Sequence, residues 1–167
     1  MRRERWGFVL AVGLAGLITS AAAGQHEKDR KIDLARVPAA VKKAAHTAAP
    51  GVTWHHASKE TEEGKTIYEL TGKDAKGRKV EVKATPEGEV IEVETAIPLS
   101  EVPEVALDAF KAKHPHLKAT GAESVEEGGR VVAYDILTRK DHKSVEYRVS
   151  ADGKTVKLGE EGEEEEK

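Results

Sequence analysis

The seven histidines are the residues of this sequence whose chemistry first suggests a metal site. His55 and His56 are adjacent, and His114 and His116 flank Pro115. Neighbouring residues of a β-strand point to opposite faces of the sheet, so the first pair cannot bind one ion without a β-bulge. The second pair flanks a proline that should end a helix, and neither pair has the spacing of a zinc-ligand cluster. The sequence therefore predicts no metal site and no cofactor.

Covalent catalysis has no support in the sequence either. The chain contains no cysteine, and no serine lies in the Gly-x-Ser-x-Gly pattern of a hydrolase. Glu81 and Glu146 could act as a general acid and a general base only if they met across a pocket. Carboxylates on the solvated face of a sheet are the ordinary explanation for both. We therefore predict no catalytic residues and no enzymatic activity.

The N-terminus has the three parts of a secretory signal peptide. Basic residues in Met1–Arg5 precede an uncharged apolar run from Trp6 to Ile18, and the small-residue pattern Ala21-x-Ala23 follows. This run is shorter than the roughly 20 residues needed to span a bilayer, which favours a signal peptide over a retained membrane anchor. The sequence therefore predicts a signal peptide over residues 1–23, cleaved after Ala23. It also predicts a periplasmic or secreted protein without membrane attachment after cleavage.

Charge is distributed unevenly along the rest of the chain. Residues 159–167 contain six glutamates and one lysine but no apolar side chain to bury, so we expect a disordered acidic tail. Residues 24–34 form a polar N-terminal segment, and we expect its first part to be loose as well. Between these ends the acidic and basic residues balance. This balance argues against nucleic acid as a partner, because affinity for phosphate comes mainly from clustered lysine and arginine.

The body of the chain is a duplication with a shift of 65 residues. The matching blocks are 37–41 with 102–106, Pro50 with Pro115, and 80–84 with 145–149. Between these blocks the alignment slips by one residue, so that Tyr68 matches Tyr134. A hairpin loop of variable length would produce such a slip.

Each copy predicts one helix followed by strands. Apolar residues recur at helical spacing after Val37 and after Val102, and a proline follows where each helix should stop. Alternating apolar and polar residues then predict a sheet with one covered face and one wet face. The predicted strands are 52–59, 66–71 and 80–84 in the first copy, and 117–124, 130–137 and 145–149 in the second. The predicted fold is α+β, with two tandem units over residues 35–96 and 97–158, each one helix packed on an antiparallel sheet of three to four strands.

The small size of each unit predicts that the two units depend on each other. A unit of about 60 residues with a single short helix buries little apolar surface and would be marginal alone. The linker Thr95–Glu101 is too short and too apolar to be a flexible tether. We therefore expect the units to share a sheet or to pack together.

This succession of elements resembles the PepSY-like domains. The positions that carry the resemblance are the helix-ending Pro50 and Pro115, the strand tyrosines Tyr68 and Tyr134, and the turn glycines Gly88 and Gly153. The tandem arrangement is similar to the PepSY-like proteins grouped with the beta-lactamase inhibitor fold. The resemblance implies a secreted or periplasmic protein that binds or inhibits peptidases or other extracytoplasmic proteins. It carries over fold-forming positions and no binding site.

The polar face of the predicted sheet is the expected place for a partner, unless that face is simply solvated. Strand parity collects there the residues that we predict for binding, namely His55, Glu81, Lys83, Glu146 and Arg148. Because the surface carries mixed charge, binding would depend on electrostatic complementarity. We expect charge reversal at Lys83 or Arg148 to weaken binding without lowering the melting temperature. The predicted function is an exported, non-catalytic binding module for an extracytoplasmic protein such as a peptidase. The alternative is a periplasmic protein that binds a small ligand or a metal, and the oligomeric state stays open.

Overall fold

The structure is a computed structural model and describes residues 27–62, 64–140 and 143–161. This part of the chain contains two α-helices and nine β-strands, and a short 3-10 turn precedes each helix. In chain order the elements are β1 (Glu27–Ile32), α1 (Ala39–Ala48), β2 (Thr53–Glu62), β3 (Lys65–Lys73), β4 (Lys79–Ala84), β5 (Val90–Ile97), α2 (Glu104–Lys113), β6 (Ala119–Glu127), β7 (Arg130–Lys140), β8 (Lys143–Ser150) and β9 (Val156–Glu161). The predicted signal peptide lies outside the described residues.

All nine strands form one antiparallel sheet in which each strand pairs with its neighbours in sequence. The two units meet at β5 and β6, which pair from Val93 opposite Glu126 to Ile97 opposite Ala122. The units therefore share a sheet, which is one of the two arrangements that their small size predicts. The sheet is larger than the three to four strands predicted for each unit. The reason is that residues 95–97, predicted as the start of a linker, continue β5 and pair with β6.

Both helices begin directly after a proline. Pro38 and Pro103 are the N-cap residues of α1 and α2. Proline is favourable there because the first turn of a helix has no use for its missing N–H group. The helices end at Ala48 and Lys113, shortly before Pro50 and Pro115. The helical positions predicted from the repeat are therefore confirmed.

Each helix closes an apolar core of its own against its half of the sheet. The first core includes Ala45 and Val82, both with 0% exposure, and the second is built around Phe110 with 1% exposure. Tyr147 occupies the position equivalent to Val82, is half-buried, and lies with its ring 5.6 Å from that of Phe110. The face that the alternating pattern assigned to the helices is therefore the apolar one in both units.

One glycine in each unit fits the hairpin turn closely against the helix. Gly88 has a φ of +87°, and a Cβ atom there would lie 2.7 Å from the carbonyl oxygen of Ala40 in α1. Gly153 has a φ of +70°, and a Cβ atom there would lie 2.7 Å from the carbonyl oxygen of Val105 in α2. Only glycine tolerates both the left-handed backbone and such close contact. The repeat thus preserves a contact between turn and helix as well as a pattern of elements.

The two ends of the described chain are more ordered than the sequence predicts. Part of the polar segment 24–34 forms β1, which pairs with β2, for example at Ile32 opposite Ala57. Residues 159–161 of the predicted tail continue β9, which pairs with β8. β1 and β9 are held in the sheet by backbone hydrogen bonds to one neighbouring strand each. Such pairing does not require apolar side chains. Residues 162–167 lie outside the described residues. Among the described helices, none combines the length and apolar character needed to cross a membrane.

Candidate functional site

The sheet face opposite the helices curls into a pocket. Arg148 on β8 contacts both Glu92 and Glu94 on β5, three strands away. Three strand spacings measure about 14 Å in a flat sheet, which is too far for one side chain, so the sheet must curve between these strands. The pocket has a volume of about 540 Å³ and is lined by residues from β3, β4, β5, β7, β8 and β9. Residues of both units therefore face the same space.

Arg148 is the centre of a charge network in this pocket. Its Nε donates to Asp135 Oδ1 at 3.0 Å, and its Nη2 donates to Asp135 Oδ2 at 2.7 Å. Nη1 donates to Glu92 Oε2 at 2.8 Å, and Nη2 also donates to Glu94 Oε1 at 2.6 Å. The planar guanidinium can hold several carboxylates at once because its N–H groups point outward in a fixed fork. Arg148 thereby ties the second unit to the last strand of the first.

Two lysines of β4 complete the network. The Nζ of Lys83 lies 3.3 Å from Glu92 Oε1. The Nζ of Lys79 lies 2.6 Å from Glu81 Oε2 and 3.0 Å from Glu123 Oε1. Lys79 thus bridges strands that are not neighbours, since Glu123 belongs to β6. Each of these contacts lies on the sheet face that the sequence predicts to be polar.

Carboxylates in the pocket outnumber the cations that neutralise them. Glu81 lies opposite Glu94 in the strand register, and Glu123 lies opposite Asp135. Like charges directly opposite each other in an antiparallel pair destabilise it. Seven carboxylates face or adjoin the pocket against four cations, namely Glu69, Glu81, Glu92, Glu94, Glu123, Asp135 and Glu146 against Lys79, Lys83, Lys157 and Arg148. The pocket is therefore acidic.

The pKa values of Glu92 and Glu94 shift in opposite directions, because the pocket has fewer cations than carboxylates. Burial disfavours the charged form of Glu92, but Lys83 and Arg148 outweigh burial and lower the pKa of this carboxyl. Burial raises the pKa of Glu94 to about 9, with the negative charges of Glu92 and Asp135 adding to the effect. Although Glu94 also contacts Arg148, that guanidinium carries a single charge and serves three carboxylates. Glu94 therefore keeps its proton at neutral pH and accepts the Arg148 hydrogen bond as a neutral group.

Glu123 adjoins the pocket through its pair with Lys79 and is almost fully enclosed. It is 3% exposed, and burial raises the pKa of its carboxyl although Lys79 acts in the opposite direction. Its Oε1 is paired with Lys79, but its Oε2 is buried without a hydrogen-bond partner among the described residues. Oxygens of Glu81, Glu94 and Glu123 lie within 4.8 Å of one another. Within the described ranges, this trio is the cluster of acidic, histidine or cysteine side chains with the geometry to hold a metal ion.

Two exposed apolar side chains flank the charged interior. Ile91 on β5 is 38% exposed and Leu158 on β9 is 59% exposed, and both line the pocket. Ile91 shares β5 with Glu92 and Glu94, and Leu158 lies on the edge strand β9. They add apolar surface to a cleft that is otherwise polar.

The structure brings together four of the five predicted binding residues. Glu81, Lys83, Glu146 and Arg148 all line the pocket. His55 does not, because it lies in a β-bulge of β2 beside β1. This bulge places His55 and His56 along one depression, contrary to the expected alternation, yet no third ligand joins them among the described residues.

The structure argues against the expectation that charge reversal at Lys83 or Arg148 leaves the melting temperature unchanged. Lys83 is 7% exposed and is paired with Glu92, and Arg148 holds three carboxylates. Reversing either charge would leave buried carboxylates facing a new carboxylate, so it would lower the melting temperature. The physical reason is the curvature of the sheet, which buries a face that would be exposed in a flat one.

Glu92, Glu94 and Glu123 are site residues that sequence reasoning missed. The alternation of Glu92 and Glu94 with Val93 signals a strand with one polar face, and that signal was available. Nothing in the sequence around Glu123 indicates burial.

Comparison with known proteins agrees with this architecture. The family model PepSY, described as "Peptidase propeptide and YPEB domain", matches residues 38–94. These residues extend from the start of α1 into β5, which is nearly the whole first unit. Over these residues the first unit is similar to PepSY domains. The second unit lies beyond the matched range and repeats the elements of the first. A comparison with curated proteins finds no match.

Solved structures with the same fold come from Bacteroides species. A BLIP-like protein from Bacteroides fragilis has a TM-score of 0.50 and 19% identity, with 74% of this chain and 84% of that chain covered. A DUF2874 family protein from Bacteroides uniformis has a TM-score of 0.52 and 17% identity, with 74% and 87% covered. At such identities the likeness concerns the fold alone. It confirms the resemblance to a tandem PepSY-like, BLIP-like architecture.

Proposed function

We propose that this protein is an exported, non-catalytic binding module that uses the curved sheet face to hold a segment of an extracytoplasmic protein. The observation that carries the proposal is the acidic pocket formed jointly by the two units. The carboxylates of its charged network are largely buried, and the exposed Ile91 and Leu158 also line the pocket. A pocket of fixed charges with apolar edges provides both orientation and contact area for a partner.

The residues of the pocket favour binding over catalysis. Its described lining contains no serine, threonine, tyrosine or histidine. The carboxylates of Glu92 and Asp135 are held by Lys83 and Arg148, which fixes them in place rather than leaving them free to transfer protons. A general base needs to reach the proton that it abstracts, and these groups are committed to the network.

The chemistry of the pocket favours a basic partner segment. Because carboxylates are in excess, a lysine or arginine side chain of a partner would find acceptors there. The edge residues Ile91 and Leu158 would pack against apolar groups on either side of that basic residue. Association should therefore slow as salt is added, because the attraction between the pocket and the partner is screened.

Two further observations support the cellular context and the class of partner. The predicted signal peptide points to export, and a structural neighbour from Bacteroides eggerthii (TM-score 0.52, 18% identity) is itself a candidate periplasmic protein. The PepSY description refers to peptidase propeptides, and the neighbour from Bacteroides fragilis is named BLIP-like. A peptidase is therefore the first class of partner to test, and its inhibition the first activity.

The experiment compares three forms of the immobilised protein as baits for periplasmic and secreted proteins. These are the wild type, an Ile91→Asp/Leu158→Asp double variant, and a Val105→Asp control. Val105 is 51% exposed on α2, so it matches the other two in exposure but lies on the helix side of the sheet. A protein retained by the wild type and the control but lost at least tenfold on the double variant is the expected result.

The opposite pattern contradicts the proposal. A partner lost on Val105→Asp and retained by the double variant would place binding on the helix side. If the captured partner is a peptidase, its hydrolysis of a peptide substrate is measured with increasing amounts of the wild type. Full activity at saturation would limit the role to binding without inhibition.

A further inference from the structure

Three carboxylates from three adjacent strands converge next to the Arg148 network. Glu81 lies on β4, Glu94 on β5 and Glu123 on β6, and oxygens of all three lie within 4.8 Å of one another. Calcium binds oxygen ligands at about 2.3–2.6 Å, so oxygens up to roughly twice that distance apart can contact the same ion. The spacing of this trio therefore matches a shared cation.

A buried oxygen without a partner is an independent sign of a missing ligand. Glu123 is 3% exposed, and its Oε2 is buried without a hydrogen-bond partner among the described residues. Leaving such an acceptor unsatisfied costs about 1–3 kcal/mol, and more for a charged group, so native proteins seldom retain one without a reason. An ordered water or a bound cation would satisfy this oxygen.

The ammonium of Lys79 pairs with two of the three acidic residues. Its ammonium bridges Glu81 Oε2 and Glu123 Oε1, and its side chain is 43% exposed. A lysine is a point charge on a flexible stem, so it can move into solvent when another cation arrives. One ammonium does not balance the charges of Glu81 and Glu123, and Glu81 directly faces Glu94 across the strand pair.

We propose that Glu81, Glu94 and Glu123 form a binding site for a hard divalent cation, of which calcium is the best fit, and that Lys79 occupies this site in the absence of the ion. Carboxylate oxygens favour calcium over zinc or copper, which prefer nitrogen and sulfur ligands. Water would complete the coordination, since calcium takes six to eight ligands. This inference is independent of the proposed partner, because metal binding requires no second protein.

The test is a calorimetric titration of the purified protein with calcium chloride. The glutamates of the tail could also attract calcium, so the titration uses a form in which Glu163, Glu164, Glu165 and Glu166 are all replaced by Gln. We expect one ion per chain with a dissociation constant on the order of 10⁻⁴ M, as in extracellular calcium modules. The Glu123→Gln variant should bind at least tenfold more weakly. The matched control Glu127→Gln, on the exposed end of the same strand, should bind like the parent protein.

A second variant distinguishes a cation site from an ordinary ion pair. Replacing Lys79 by Gln should strengthen calcium binding about tenfold, because the ion no longer displaces an ammonium. Unchanged or weaker binding in Lys79→Gln would overturn the proposal, even if Glu123→Gln failed to fold. So would the absence of binding at 10 mM calcium, or binding that disappears when the tail is neutralised.

Discussion

Lys83 and Arg148 occupy equivalent positions in the two units but have different roles. Each lies on the pocket face of its strand, and each is opposite an acidic residue in the register, Glu69 for Lys83 and Asp135 for Arg148. Lys83 pairs with Glu92, which belongs to its own unit. Arg148 pairs with Asp135 in its own unit and reaches across the seam to Glu92 and Glu94. The same position therefore serves one unit in the first copy and joins both units in the second.

The difference shows how a duplicated chain can form one site from two copies. A lysine offers a compact charge, whereas an arginine offers several N–H donors in a plane. Of these two equivalent positions, only the one that holds arginine pairs with carboxylates of both units. As a result, β5 receives cations from both copies and becomes the centre of the pocket.

The largest loss of stability is expected at Val82 and Tyr147, the core positions that the repeat makes equivalent. Replacing Val82 by Asp buries an unpaired charge and should lower the free energy of unfolding by about 4 kcal/mol. Tyr147→Asp should cost about half as much, because Tyr147 is only half-buried. Urea denaturation of both variants gives these values. Midpoints equal to that of the wild type would show that the strand parity is wrong.

The next largest loss of stability is expected when the charged side chains of Arg148 and Lys83 are removed one at a time. Arg148→Met should cost about 3 kcal/mol, at the low end for a broken buried ion pair because the side chain is 37% exposed. Lys83→Met should cost only about 1 kcal/mol, because Glu92 keeps its pair with Arg148. Denaturation curves of the two variants measure the difference. Equal losses would mean that Arg148 does not join the units.

A smaller effect tests the contact between turn and helix that the two units share. Gly88→Ala and Gly153→Ala should each cost about 2 kcal/mol, because a Cβ atom meets a helix carbonyl and the backbone is left-handed. Gly77→Ala is the matched control, since its φ is +78° but no atom lies within 4 Å of the added Cβ. It should cost about 1 kcal/mol. A control as costly as the two variants would assign the whole effect to the backbone.

The smallest loss of stability is expected at Glu94, and its neighbour on the same face of β5, Glu92, serves as the comparison. Glu94 is neutral at pH 7, so the neutral amide in Glu94→Gln should change stability by less than about 1 kcal/mol. Glu92 is ionised between Lys83 and Arg148, and Glu92→Gln should cost about 2 kcal/mol. Thermal and urea unfolding at pH 7 compare the two variants. A larger loss for Glu94→Gln would reverse the assignment of charge.

Sequence reasoning reached the fold more completely than the site, and particular residues show why. Periodicity places Val82 and Tyr147 on the helix side because the period of a strand is local information. The same alternation places Lys83 and Arg148 on the opposite face. The burial of Lys83 and the contacts of Arg148 with β5 could not be predicted, because they follow from a curvature that brings β8 over β5. Glu123 was missed for the same reason, since its neighbours in space come from other strands.

The seam between β5 and β6 decides which backbone edges the molecule presents to its surroundings. A single copy of the unit would leave β5 as an unpaired edge, and such edges invite pairing with other chains. Duplication places that strand in the interior of the sheet and leaves β1 and β9 as the outer strands. Both carry exposed charged side chains, Arg30 and Lys31 on β1 and Lys157 on β9, and charged residues on an edge discourage further addition of strands. The duplicated chain is thereby protected against growing into aggregates through its own sheet.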